Sequence, residues 1–258
     1  MTALKAIDIS VHFDTLAAVD KVSFEAAPGA LIGLIGPNGA GKTSLVRALA
    51  NLVPYEGRVE LDGQQLGDLS RRELARTIAY LAQAQPVHWP LTVRQLTALG
   101  RLPYRAPFQR RGFGDDASIE RAMSLAAVTE LADRKVDALS GGERARSLLA
   151  RALAVEAPVL LVDEPVAALD PYHQLEIMEV LRAYAEAGAL VIAVLHDLVL
   201  AERFCHRLLL MRGGALLADD APDVVLTDSN LQAAYRVAAA HGTHEGQRYT
   251  LPWRRIDG

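Results

Sequence analysis

Three short segments of this 258-residue chain carry the residue types that phosphate chemistry needs. Gly36-Pro37-Asn38-Gly39-Ala40-Gly41-Lys42-Thr43 fits the spacing G-x-x-x-x-G-K-[ST], with Ser44 following. Glycines there let successive backbone N–H groups turn inward around an anion, and a helix opening behind them adds its positive end. Lys42 is spaced to reach β- and γ-phosphates, and Thr43 to set its hydroxyl on Mg2+. Val159-Leu160-Leu161-Val162-Asp163-Glu164 is an apolar run ending in two carboxylates. Burying acids without partners is costly, so two at the end of an apolar run point to chemistry. Asp163 suits a role on Mg2+, through water. Glu164 suits a base or water-orienting group at the γ-phosphate. Between the two lies Leu139-Ser140-Gly141-Gly142-Glu143, ahead of a strongly helical stretch. Small residues at a helix N-terminus again make an anion site. One nucleotide needs one such loop, so Ser140, Gly141 and Gly142 make sense facing a nucleotide held by another copy.

The elements that must position these groups are legible as apolar runs. Residues 31–35, 159–162 and 190–195 are continuously apolar rather than alternating, as in strands covered on both faces of a parallel sheet. They run into Gly36, into Asp163 and Glu164, and into His196 and Asp197. In open α/β sheets ligands bind at the carboxyl ends of strands, so three strands delivering polar groups to one edge describe one site. His196 joins that site, placed to contact the γ-phosphate and the attacking water. The histidines at 12, 88, 173, 206, 241 and 244 show no ligand spacing with acids or Cys205.

Helices fit between the strands. One is expected from about Gly41 to Ala50. Ser70 and Glu73 have capping-box spacing and start another. Asp170-Pro171 reads as an N-cap with proline at the first helical position, opening a helix that runs to Gly188. Leu175, Met178 and Leu181 form its core-facing stripe. From about Pro86 to Ala150 strand-like runs cease. Helices are expected over 92–99, 118–131 and 142–154, with a proline-containing loop after Arg101. This reads as a helical subdomain, 86–150, inserted in an α/β core of residues 1–85 and 151–238. Residues 239–258, ending Trp253-Arg254-Arg255, read as a polar tail.

Composition bounds the partners. Hydrophobic residues make up 51% of the chain and charged ones 22%, enough for a large core. A net charge of -4 argues against nucleic acid as the main partner, because phosphate-backbone binding needs a basic face. Cys205 is the only cysteine, so no intrachain disulfide forms; it reads as a small buried residue in a cytosolic chain. Met1 to Ala6 lacks a signal-peptide pattern, and no stretch approaches the roughly 20 apolar residues that span a bilayer. Membrane association would come through a partner.

Taken in order, these segments resemble the ATP-binding-cassette (ABC) ATPases over nearly the whole chain. The resemblance places a Walker A loop at 36–43, a Q-loop at Gln83, the signature at 139–143 and Walker B at 159–163. The catalytic Glu164, a D-loop at Ala168-Leu169-Asp170 and an H-loop at His196 follow. It implies a single ABC domain over 1–258: a P-loop core with a mainly parallel sheet, an N-terminal antiparallel β portion and the helical insert. Phe13 sits where the family stacks an aromatic on adenine. Gln83 would link the γ-phosphate and Mg2+ to a groove for membrane subunits. Two copies would bind head to tail, each signature and Asp170 completing the other's ATP site. Closure would drive polytopic permease subunits at the cytoplasmic face of the inner membrane, served indirectly by a substrate-binding protein. Leu91-Thr92-Val93, the stretch from Leu99 to Tyr104, and His173-Gln174-Leu175-Glu176 resemble the iron-siderophore, haem and vitamin B12 importers. Zinc or manganese importers, and soluble members such as iron–sulphur assembly components, are the alternatives. Val166-Ala167 and Ala145 depart from the family's usual residues beside the nucleotide interface.

Overall fold

The computed structural model describes residues 3–14, 16–83, 90–105, 113–167 and 169–256. In chain order come strands β1 Leu4–Phe13, β2 Leu16–Ala26 and β3 Leu31–Ile35, then helix α1 Lys42–Leu49. Strands β4 Glu56–Leu61 and β5 Gln64–Gln65, helix α2 Arg71–Thr77 and strand β6 Ile78–Leu81 follow. Three helices come next, α3 Val93–Ala98, α4 Phe113–Leu125 and α5 Gly141–Leu153. The chain then alternates β7 Val159–Asp163, α6 Pro171–Glu186, β8 Leu190–Val194 and α7 Leu198–Phe204. It closes with β9 Arg207–Arg212, β10 Ala215–Asp220, α8 Pro222–Val225, α9 Asp228–Tyr235, β11 Val237–His244 and β12 Gln247–Arg255.

The central sheet has the order β10-β9-β3-β8-β7-β6. Its β9, β3, β8, β7 and β6 run parallel, and β10 is antiparallel at one edge. The N-terminal strands form a separate antiparallel sheet, β2-β1-β4-β5. The apolar runs are continuous because each strand feeds two cores. Leu31 and Ile35, Leu160 and Val162, Val191 and Ala193 face a core shared with α3 to α7. Ile32 and Leu34, Val159 and Leu161, Leu190 and Ile192 face a second core with α1 and the antiparallel sheet. Alternate side chains on a strand point to opposite faces, so a strand buried on both must be apolar at every position.

Local signals work where expected. Ser70 accepts from the Glu73 amide while Glu73 returns a bond to the Ser70 amide. Asp170 caps α6 through the His173 amide, with Pro171 in the first turn. Met178 and Leu181 are buried in the first core, and Leu175 packs against it. The second insert helix differs from expectation: α4 starts at Phe113 and stops at Leu125, and the expected continuation becomes a 3-10 turn at Thr129–Leu131. Ala127 interrupts it with a left-handed backbone, φ 50°.

The expected polar tail at 239–258 is instead an antiparallel hairpin of β11 and β12, beginning at Val237. Thr250 is fully buried, and Arg248 lies 3.7 Å from Glu202 of α7. The pattern misled because the one buried residue of β12, Thr250, is polar while Leu251 and Trp253 are exposed. The boundary expected near residue 86, and Ala168, lie outside the described residues.

Helices α3 to α5 are pinned together by a buried arginine. Arg101 donates through Nη1 to the Ala154 carbonyl at 2.9 Å and pairs with Asp115 at 3.2 Å and Glu156 at 3.1 Å. Its guanidinium also stacks 3.9 Å from the Tyr104 ring centroid. Arg101→Ala should therefore lower unfolding stability by about 3 kcal/mol, as expected when one partner of a buried pair is removed. Arg94→Ala, at an exposed pair with Glu120, should cost at most about 1 kcal/mol. Urea titration of both variants checks the contrast, and equal losses would deny the anchoring role.

Candidate functional site

A cavity of about 490 Å3 opens at the carboxyl edge of the central sheet. It is lined by the loop 38–44, by Phe13, Ala17 and Ala18, and by Glu164 and His196. The loop between β3 and α1 adopts its shape because two glycines occupy positions closed to any side chain. Gly36 has φ 148°, and a Cβ there would meet the Met211 carbonyl oxygen at 2.3 Å. Gly41 has φ 96°, and its Cβ would meet the Ala18 carbonyl oxygen at 2.1 Å. The turn is thus clamped from outside by β9 and β2.

Lys42 is only 6% exposed and donates to the Gly36 carbonyl at 2.7 Å and the Pro37 carbonyl at 3.0 Å. Burial pulls its ammonium below the ordinary lysine range, opposed by the charges of Glu164 and Asp163. Asp163, 1% exposed, accepts from Thr43 Oγ1 at 3.0 Å and from the Tyr80 hydroxyl at 3.3 Å. Burial pushes its carboxyl up, with the two hydroxyl donors pulling the other way. Both shifts lean toward the neutral forms. An anion beside Lys42 and a cation beside Asp163 would relieve both.

That donor set fits a magnesium nucleotide. The Thr43 hydroxyl and Asp163 carboxylate place two hard oxygens side by side, the kind of sparse protein ligation Mg2+ takes when phosphate and water complete its shell. No group of three or more His, Cys, Asp or Glu forms an all-protein metal cage among the described residues.

Glu164 follows with φ 51°, a left-handed backbone uncommon for glutamate. The turn swings its carboxylate to the cavity mouth, where both oxygens are engaged. Gln83 Nε2 donates to Oε2 at 2.5 Å, and His196 Nε2 lies 2.6 Å from Oε1. Three residues from separate segments therefore meet at one carboxylate. A carboxylate held on two sides can orient a water and take its proton.

Phe13 is 48% exposed at the end of β1, so it is no core aromatic. Its ring lines the cavity beside the loop, where a planar base could stack. Ser140, Gly141, Gly142 and Asp170 are not among the residues lining this cavity. Ser140 caps α5 through a capping box with Glu143, which is itself paired with Arg134 at 2.8 Å. The box occupies the amides of Ser140 and Glu143. Helix geometry leaves the Gly141 and Gly142 amides without intrahelical acceptors.

Val166 is buried in the first core and Ala145 packs against it. Cys205 is buried too, its thiol pushed up to about 12 by loss of solvent. Sequence reasoning missed Tyr80, whose hydroxyl reaches Asp163 from the neighbouring strand β6. It also missed Ala17, Ala18, Gly213 and Gly214, which line the cavity. Only small size marks them, a weak signal without the fold.

Fold and loop together define a P-loop nucleotide-binding ATPase. Residues 19–167 match the family described as ABC transporter. The chain is 44% identical over 220 residues to the hemin import ATP-binding protein HmuV of Nocardia farcinica, covering 84% of this chain and 75% of that protein. It is 42% identical over 227 residues to the cobalamin import ATP-binding protein BtuD of Halobacterium salinarum, covering 87% of this chain and 56% of that protein. A chain from a transporter described as of metal-chelate type, in an inward-facing conformation, superposes with a TM-score of 0.84. It covers 98% of both chains at 22% identity, a likeness of fold. The chain belongs to the ABC transporter family and is an ATP-binding, ATP-hydrolysing member of it.

Gly41→Ala tests the loop. Forcing a side chain into that left-handed, closed position should cost roughly 1–3 kcal/mol and deform the anion nest. Expected are a lowered melting temperature and loss of ATP binding in a fluorescent-nucleotide titration. Normal binding would mean that the clamp by Ala18 does not shape the site.

Proposed function

We propose that this chain is the ATPase subunit of an importer for a metal chelate of the haem, cobalamin or iron-siderophore kind. It works as a head-to-tail dimer on permease subunits at the cytoplasmic face of the inner membrane. The observation that carries the catalytic part is the Glu164 carboxylate, bracketed by Gln83 and His196 at the mouth of the loop cavity. The importer class is supported by the relatives named for hemin and cobalamin import.

ATP is held by Gly36, Pro37, Asn38, Gly39, Ala40, Gly41, Lys42, Thr43 and Ser44, with Phe13 stacking on the base. Lys42 leaves its own loop carbonyls for the phosphates, exchanging two neutral acceptors for charged ones. Thr43, Asp163 and Gln83 hold Mg2+, which supplies positive charge to the phosphate oxygens when bound. Glu164 orients the attacking water and accepts its proton, and His196 fixes that carboxylate and meets the γ-phosphate. Ser140, Gly141, Gly142 and Asp170 serve the nucleotide of the second copy. No helix among the described residues is long and apolar enough to cross a membrane. Permease subunits therefore supply the passage, and a substrate-binding protein delivers cargo to them.

Glu164→Gln should lower ATP turnover by roughly 10²–10⁴-fold, the usual worth of a positioned base. Nucleotide binding should persist, and an ATP-dependent dimer should accumulate on size-exclusion chromatography. Turnover near the wild-type rate would remove Glu164 from the reaction. Purification with a soluble partner, and no polytopic membrane protein, would overturn the importer reading.

A further inference from the structure

The adjacent glycines Gly141 and Gly142 are both helical in α5, and neither has the positive φ that favours glycine. Glycine in a helix costs about 1 kcal/mol relative to alanine, so each needs a reason. The two reasons differ. A Cβ on Gly141 would have nothing within 4 Å. A Cβ on Gly142 would lie 2.2 Å from Cδ2 and 2.5 Å from Cγ of His173. Gly142 is thus small because an imidazole ring occupies the space, whereas the open space at Gly141 is filled by nothing in this chain.

That ring is held in place. His173 Nδ1 lies 2.7 Å from Glu176 Oε2 and 3.2 Å from Arg146 Nη1. Arg146 and Glu176 form an ion pair with each other. Arg146, Glu176 and His173 have side chains only 11%, 23% and 22% exposed. Tyr172 meets the ring edge-on at 5.4 Å. The His173 amide donates to Asp170 Oδ1 at 3.1 Å, so the same residue completes the N-cap of α6. One imidazole therefore links the first turn of α5, from the face that carries the signature, to the first turn of α6, which carries Asp170. Charged groups this sheltered are strongly oriented by one another, because each finds its partner at fixed geometry.

We propose that His173 is a positioning residue for the shared nucleotide site. Clamped by Arg146 and Glu176, it sets the placement of the 140–142 backbone, so that this segment and Asp170 approach the second copy's nucleotide as one rigid piece. The inference rests on the reading of residues 140–142 as part of the partner's site. It gives Gly142 a steric task within its own chain, in addition to the place of its free amide in the second copy's site.

Paired substitutions test it in the full chain. Steady-state ATPase gives kcat and KM, and binding of trinitrophenyl-ATP by the isolated chain reports the Lys42 loop. Gly142→Ala should lower kcat on the order of 10²-fold, the scale of an ångström-sized misplacement, with analogue binding unchanged. Adding His173→Ala should restore at least about tenfold of that loss, because the methyl then fills the vacated ring space. The same second substitution should give no recovery to Gly141→Ala. Should Gly142→Ala fail to fold, Arg146→Met is the alternative: releasing the ring should lower kcat while melting temperature and analogue binding hold. A Gly142→Ala/His173→Ala double variant as slow as Gly142→Ala, or Arg146→Met with wild-type kcat, overturns the clamp. Wild-type turnover in Gly141→Ala would instead refute the shared-site reading itself.

Discussion

The central sheet is sealed on both faces, and everything polar in the site follows from that. Strands β3, β7 and β8 alternate their side chains between two apolar cores. A charged group on such a strand would be buried without water, at a cost that few partners repay. The only place left for one is the last residue or just beyond it. Gly36, Asp163 with Glu164, and His196 are all there. Packing and catalysis are therefore not separate requirements in this chain: the apolar cores drive the polar groups to one edge.

Crowding at that edge creates the charge state on which nucleotide binding acts. Lys42 and Asp163 are both nearly solvent-free, and burial pushes both toward neutrality. The protein compensates locally, with two loop carbonyls for the ammonium and two hydroxyls for the carboxylate. These are weaker partners than phosphate and a divalent cation. A site built this way is preorganised in shape and left unsatisfied in charge, which favours a ligand carrying both signs.

The first turn of α5 stands apart from the loop cavity. The first turn of α5 has a complete capping box, an exposed Gly141 and a Gly142 packed on His173. Nothing in its own chain's cavity reaches it. Its geometry is finished by contacts with α6, and a Cβ at Gly141 would meet nothing in this chain within 4 Å. Legibility of this element was uneven. The glycine pair stands out in the sequence, but that one glycine answers to an imidazole 31 positions later is visible only in space.

Much of the fold was written locally. Capping boxes at Ser70 and Ser140, the Asp170-Pro171 start and the unbroken apolar runs are short-range codes, each decided within a few residues, and the folded chain keeps them. The Walker-type loop belongs with these, since its glycines and Lys42 lie within eight positions. The C-terminal hairpin did not, because the one buried residue of β12 is the polar Thr250 while Leu251 and Trp253 face water, and the strand depends on α7 for cover. Nor did Tyr80, Ala17 and Ala18, which join the site only because β6 lies beside β7 and β2 beside the loop. The sequence alone determined which groups could do phosphate chemistry, because that depends on residue type and near spacing. Only the tertiary structure decided that Gln83, Glu164 and His196 meet at one carboxylate, because strand order in a parallel sheet is set by long-range packing.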